Sequence, residues 1–288
     1  MSFSRFRERY SSRQRSRPIR SWDDKPRLGV SKILWGAAIA LTLVIIVAWM
    51  VFSGQTRRAL ERDPVTLCLR HEAPQHASLV LVDQTDPLAA DSGSRFLRLM
   101  QEIKLGLPRN ARLLVVPFDG DLRRSLTTAL NLCSPGRGEE ADELIEARTT
   151  VQQLYDSKFA APLDRLAAAL QARGSTEFSP IAEQLERAIN DPAIPWTAPQ
   201  RDIYILTDGL QHTAQSRVYR GEPMRLPEPR LGLLSGVTVH YVELTSARAP
   251  QLQTAAVREA WRVWLTAAGA RVIMHAPGYP APPAAQAQ

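Results

Sequence analysis

The sequence predicts an α/β domain built on a doubly wound, mainly parallel sheet with helices on both faces, preceded by one transmembrane helix. Three observations carry that prediction. An uncharged apolar run lies near the N-terminus, and beyond it short apolar strand-like segments alternate with amphipathic helix-like ones. The strand-like runs also end in polar residues, as buried parallel strands do. Strands separated by helices imply right-handed crossovers, and so a parallel sheet covered on both sides. With 288 residues, 44% of them hydrophobic and 23% charged, the chain has the apolar content of a globular protein rather than a disordered one. Two cysteines are too few for a disulfide-built mini-domain.

Residues 1–32 form a basic tail holding 10 Lys/Arg against 3 Asp/Glu, whereas 33–288 hold 26 of each, so the whole net charge of +7 sits in the tail. A neutral remainder argues against nucleic-acid binding. From Ile33 to Phe52 no residue is charged, and Trp35 and Trp49 lie near the ends of the run. A helix of that length reaches roughly 30 Å, the thickness of a bilayer core. A cleaved signal peptide fits less well, because about 30 residues precede the run and SGQTRR after it lacks a small-x-small cleavage site. The expectation is an uncleaved membrane anchor over 33–53. The excess of Lys/Arg before the span places the N-terminus in the cytoplasm and the remainder outside. The tail is read as a topology determinant, although Arg clusters beside a membrane also attract anionic headgroups. A usage of 32 Arg against 4 Lys points to a GC-rich bacterial source, and so to an inner-membrane protein with its C-terminal domain in the periplasm.

After a linker at 54–75, a domain is expected over 76–276, with a flexible tail at 277–288. Strands are read at 78–86, 111–119, 202–209, 237–244 and 271–276. Phe96, Leu99, Met100 and Ile103 share one face of a helix over 95–106, closed by Gly106 and Pro108. The stretch 139–172 reads as mostly helical, with Leu163, Leu166, Ala167 and Leu170 on one face. In 179–190, Ser179 is expected as N-cap with Pro180 at the first helical position. The stretch 249–269 is an amphipathic helix ended by Gly269. In such sheets ligands sit beyond the carboxyl ends of the strands, where strand order reverses.

Three segments are candidates for that edge: VDQTDPL with Asp83, Thr85 and Asp86; SPIAEQLERA with Ser179; and ILTDG with Asp208 and Gly209. Together they resemble the von Willebrand factor A (VWA) fold, a Rossmann-like sheet whose metal-ion-dependent adhesion site uses D-x-S-x-S after the first strand. A Thr opening a later helix and an Asp after the fourth strand complete that site. The resemblance covers roughly 76–276 and assigns the metal-site roles to Asp83, Thr85, Ser179 and Asp208. It departs at Pro87, which stands where the second Ser of the pattern would be and offers no oxygen ligand. Mg²⁺ wants close to six oxygens in near-octahedral geometry. The resemblance therefore implies a degenerate site, with no cofactor or only weakly bound Mg²⁺ or Mn²⁺. It also implies a protein-docking module; from sequence pattern alone, 139–172, 210–235 and Trp196 are read as the places that would encode partner choice.

An alternative is a metal-dependent phosphohydrolase using Asp83 and Asp208, since DQTDP has the look of an acidic phosphatase loop. The D-x-D spacing of haloacid-dehalogenase-type enzymes is missed by one place, and Gly-rich phosphate loops, H-E-x-x-H and G-x-S-x-G are absent. The histidines His71, His76, His212, His240 and His275 have no ligand spacing; His71 and His76 are read as linker surface and His240 as a polar strand position. The expectation is a protein that is not an enzyme and acts as a subunit of a membrane-associated assembly. Cys68 and Cys133, alone in an exported domain, are read as a disulfide, two separate buried thiols being the other reading.

Overall fold

The computed structural model describes residues 30–143, 146–171, 174 and 176–279. The basic tail through residue 29 and the C-terminal residues from 280 lie outside them. Two units are described separately, divided at Phe52 and Ser53.

In the first unit, α1 (Val30–Ala59) extends beyond the uncharged run at both ends. Leu34–Phe52 has a mean hydropathy of 2.4 and is long and apolar enough to cross a membrane. Every side chain from Leu34 to Phe52 is exposed, Trp35 at 72% and Met50 at 66% among them. A helix that is exposed and apolar all round suits lipid rather than water.

The second unit is a six-stranded mixed sheet in the order β3-β2-β1-β4-β5-β6. Its strands are β1 (His76–Asp83), β2 (Arg112–Phe118), β3 (Leu130–Cys133), β4 (Gln200–Thr207), β5 (Val237–Glu243) and β6 (Arg271–His275). All neighbours are parallel except β2 and β3. The predicted fold class is therefore the observed one. The antiparallel edge strand β3 was not read from the sequence, because its four residues LNLC are too few to show periodicity. Strand order reverses between β1 and β4, which run parallel and are paired from His76↔Gln200 to Val82↔Leu206.

Helices cover the sheet from both sides. On one face α5 (Ile181–Asn190) and α6 (Ala255–Ala267) pack Ile181, Leu185, Trp261 and Trp264 against Leu79, Leu81, Ile203 and Val239. On the other, α2 (Ala90–Gly106), α3 (Arg148–Leu154) and α4 (Ala161–Ala169) cover Val80, Val82 and Val115. Phe96, Leu99, Met100 and Ile103 all face this core, as their spacing required. A π-helical segment, Tyr155–Ala160, joins α3 to α4 and inserts Phe159 among the strands. The stretch 139–172, expected partly as a partner-selecting insertion, thus spends its apolar face on the core. Trp196, expected as a contact residue, is also core: it is 5% exposed and lies under Arg201, 5.2 Å from ring centroid to guanidinium.

The segment expected as a plain linker holds tight local structure. Asp63 Oδ1 accepts from the amides of Val65 and Thr66, Arg62 bridges to Leu69, and Cys133 N donates to Thr66 O at 2.7 Å. Cys68 and Cys133 form a disulfide with Cα atoms 4.7 Å apart. His76 is not linker surface: it opens β1, and its Nε2 lies 2.7 Å from Asp202 Oδ2.

Candidate functional site

Because β1 and β4 are adjacent and in register, the residues just past their ends meet at the switch point. Asp83 closes β1 and Thr207 closes β4, and Thr207 Oγ1 donates to Asp83 Oδ2 at 2.6 Å. Asp83 Oδ1 accepts from Thr85 N at 2.9 Å and from Thr85 Oγ1 at 2.6 Å. Thr85 Oγ1 also stands 2.9 Å from Ser179 Oγ. The structure thus brings Asp83, Thr85, Ser179 and Asp208 together, each 4% exposed or less.

Ser179 is not the helix N-cap expected for it. The helix starts two residues later, the cap position is Pro180, and no cap side chain bonds the first turn. Ser179 instead pairs by backbone with His212, N to O at 2.8 Å and O to N at 3.0 Å. The orphan amide of Ala182 is met from outside, by Gln211 Oε1 at 3.1 Å. That pairing carries the Ser179 hydroxyl toward β1.

Asp208 sits at the start of a turn made possible by Gly209, whose φ of +74° is left-handed and where a Cβ would collide with the Tyr241 hydroxyl. Trp261 Nε1 donates to Gly209 O at 2.8 Å and Gln253 Nε2 to Asp208 O at 2.9 Å, so side chains from beyond β5 hold the turn. Asp208 Oδ1 accepts from Leu210 N at 2.9 Å, while Oδ2 is buried without a partner. Burial, then the neighbouring Asp83, pushes the Asp208 carboxyl up to about 8, with Leu210 N–H and Ser246 opposing. Burial thereby favours the acid form of Asp208.

Residues the sequence reading missed complete the edge. Asp86 accepts a hydrogen bond from the Tyr219 hydroxyl. Arg248 Nη1 lies 3.5 Å from Asp86 Oδ1, and its guanidinium stacks 4.4 Å from the Tyr219 ring centroid. Burial first, then Asp208 and Asp86, raises the Tyr219 phenol well above its ordinary value. His212 lies against both Tyr219 and Phe178, with centroids 4.8 and 6.1 Å away. Its imidazole is held low by burial and then by Arg248 and Arg220. Nothing in the spacing of Tyr219 or Arg248 signals this role, since both sit in long connections far from Asp86 in sequence.

Set against a divalent cation wanting about six oxygens, the arrangement falls short. Both Asp83 oxygens are engaged by protein donors, and Pro87 offers only its carbonyl, which accepts from Ala247 N at 3.1 Å. Among the described residues no group of three His, Cys, Asp or Glu is placed to hold a metal. The His240–His275 pair, Nδ1 to Nε2 at 3.1 Å, lies elsewhere on β5 and β6, where burial, then His275, lowers His240 to about 4. Beside the cluster opens a groove of about 660 Å³ whose lining includes Leu122, Phe178, Glu177, Glu183 and Thr213.

Fold and site define a doubly wound α/β domain with a hydroxyl–carboxylate cluster at its switch point. No protein-family model matches the chain, and no curated protein matches it. Among solved structures, the chain is similar to an aerotolerance-related membrane protein from Bacteroides fragilis. That likeness has 14% identity and a TM-score of 0.30, and covers 59% of this chain and 68% of that one. It is also similar to proximal thread matrix protein 1 from the mussel byssus, in two crystal forms. Those likenesses have 15% and 13% identity and a TM-score of 0.32 each, and cover 59% of this chain and 36% and 38% of the others.

Proposed function

We propose that the chain is a single-pass bacterial inner-membrane protein whose VWA-like domain, on the periplasmic side, docks protein partners without a catalytic step and without requiring a metal. The observation that carries this reading is the state of the strand-end carboxylates. Asp83 accepts three hydrogen bonds, from Thr85 N, Thr85 Oγ1 and Thr207 Oγ1, which leaves about one of its four lone-pair sites for a nucleophilic or metal-binding role. What the edge offers is a groove with two half-exposed apolar side chains, Leu122 at 41% and Phe178 at 40%, rimmed by Glu177, Glu183 and Thr213. Apolar anchors with a polar rim are the usual make-up of a protein interface.

Proteins co-purifying with the full chain in mild detergent are expected to persist in chelator and to be lost on Phe178→Asp. Partners released by chelator alone would overturn the metal-independent reading. Phosphomonoester turnover by the wild type, abolished in a folded Asp83→Ala variant, would establish the hydrolase instead. For topology, alkaline phosphatase fused after residue 60 is expected to be active in a bacterial host, and an inactive fusion would reverse the orientation.

A further inference from the structure

Three buried carboxylates meet at the strand ends, and each is balanced by a different device. Asp83 is balanced by three N–H and O–H donors, and Asp208 by the Leu210 amide. Asp86, whose side chain is 5% exposed, is balanced by the Tyr219 hydroxyl and by the guanidinium of Arg248. A buried carboxylate needs such compensation, because desolvation penalises its charge.

Backbone pairing explains how Arg248 arrives there. The stretch after β1 is zipped to the stretch after β5: Ala89 N donates to Thr245 O at 3.0 Å, Ala247 N to Pro87 O at 3.1 Å, and Leu88 bridges Ser246. One residue further on, the Arg248 side chain lies over Asp86. The ring of Tyr219 beneath it fixes the guanidinium by cation–π attraction, which restrains a side chain that is 46% exposed. An arginine keeps its charge at any working pH, so this cation is permanent.

We propose that Arg248 is a built-in cation that takes the electrostatic place of a divalent ion at the strand ends, so that the site accepts a divalent cation only when Arg248 is removed. The inference deepens the reading of a metal-independent docking edge and rests on it. A fixed positive charge 3.5 Å from Asp86 Oδ1, an oxygen that no hydrogen bond engages, repels an arriving divalent ion. Pro87 and Arg248 then act in the same direction, one by deleting a ligand and the other by supplying the charge. Restoring the hydroxyl alone, as in Pro87→Ser, leaves the guanidinium in place and is expected to confer no binding.

Titration of the full chain in detergent with MnCl₂, followed by calorimetry, tests the proposal without any partner. The wild type, Pro87→Ser and Arg248→Lys are expected to show no saturable binding up to about 10 mM. Arg248→Gln is expected to saturate at about 0.1–1 mM, the range of weak oxygen-ligand sites on extracellular modules. Adding Asp208→Asn to Arg248→Gln is expected to abolish that binding. If Arg248→Gln does not fold by circular dichroism, Tyr219→Leu, which removes the ring under the guanidinium, carries the same test with a smaller gain. Wild-type affinity equal to that of Arg248→Gln overturns the proposal, as does a folded Arg248→Gln that binds nothing. Because no partner is present, these outcomes stand whether or not the docking reading survives its own chelator test.

Discussion

At the amino end of the sheet, the Cys68–Cys133 bond ties the segment before β1 to edge strand β3. Arg62 adds to it by donating to Leu67 O at 3.0 Å and Asn110 Oδ1 at 2.7 Å. At the carboxyl end no covalent bond acts among the described residues, and the elements meet through buried carboxylates, hydroxyls and one guanidinium. The amino end is stabilised mainly by what the cross-link removes from the unfolded chain, a cost set by loop length and indifferent to pH. The carboxyl end is stabilised by polar groups that must each find a partner, so a single atom lost there leaves a buried group unsatisfied. One end tolerates chemistry around it, and the other responds to every proton and hydroxyl.

The largest way to break that contrast is at Gly209. With a left-handed φ and no room for a Cβ against the fully buried Tyr241, Gly209→Val is expected to destabilise by about 4 kcal/mol or more. Denaturant unfolding of the variant would show it, and a near-wild-type midpoint would mean that the turn relaxes freely.

Next comes the cross-link at the other end. Removing it by Cys68→Ser with Cys133→Ser frees a loop with a sequence separation of 65 and is expected to cost roughly 4 kcal/mol. The loss should be the same at pH 5 and pH 8. Thiol labelling of the denatured, unreduced wild type should modify neither cysteine.

Asp208 sharpens the comparison through pH. Its folded pKa of about 8 lies above the ordinary carboxyl value of 3.8, so between those values the folded state holds a proton that the unfolded state releases. Its contribution to stability is therefore fully present below about pH 4 and is lost as pH rises toward 8. Asp208→Asn, neutral throughout, is expected to flatten that decline and to be the more stable protein at pH 8. Parallel pH profiles of wild type and variant would show that Asp208 is not the buried acid.

The smallest expected effect is Thr207→Val, which keeps the shape and deletes the donor to Asp83 Oδ2. A loss of about 2 kcal/mol is expected, read as a shift in urea midpoint at unchanged slope. No loss would mean that another donor replaces the hydroxyl.

Much of this architecture was legible from one dimension. The apolar runs at Ser78–Val82 and Ile203–Leu206 could only be buried strands, because period and length leave no face for water. The helical spacing of Phe96, Leu99, Met100 and Ile103 fixed which side of α2 packs. Asp83, Thr85, Ser179 and Asp208 were recognisable because switch-point chemistry falls at strand ends, which sequence can locate. Trp196 went the other way: its indole looked available, yet where α5 ends and β4 begins it fills the core.

What the sequence by itself determined is five of the six strands with the helices that cover them, the apolar helix before them, and the strand-end carboxylates Asp83 and Asp208, since periodicity and strand-end polarity are local properties. Only the tertiary structure decided how the charges at that edge are balanced. Thr207 bonds Asp83 across 124 positions and Tyr219 bonds Asp86 across 133, while the pairing of the β1 and β5 loops carries Arg248 to the same carboxylate. Compensation of a buried charge depends on distance in space and on exclusion of water. Neither quantity is written along the chain, and both come into being only when the sheet closes.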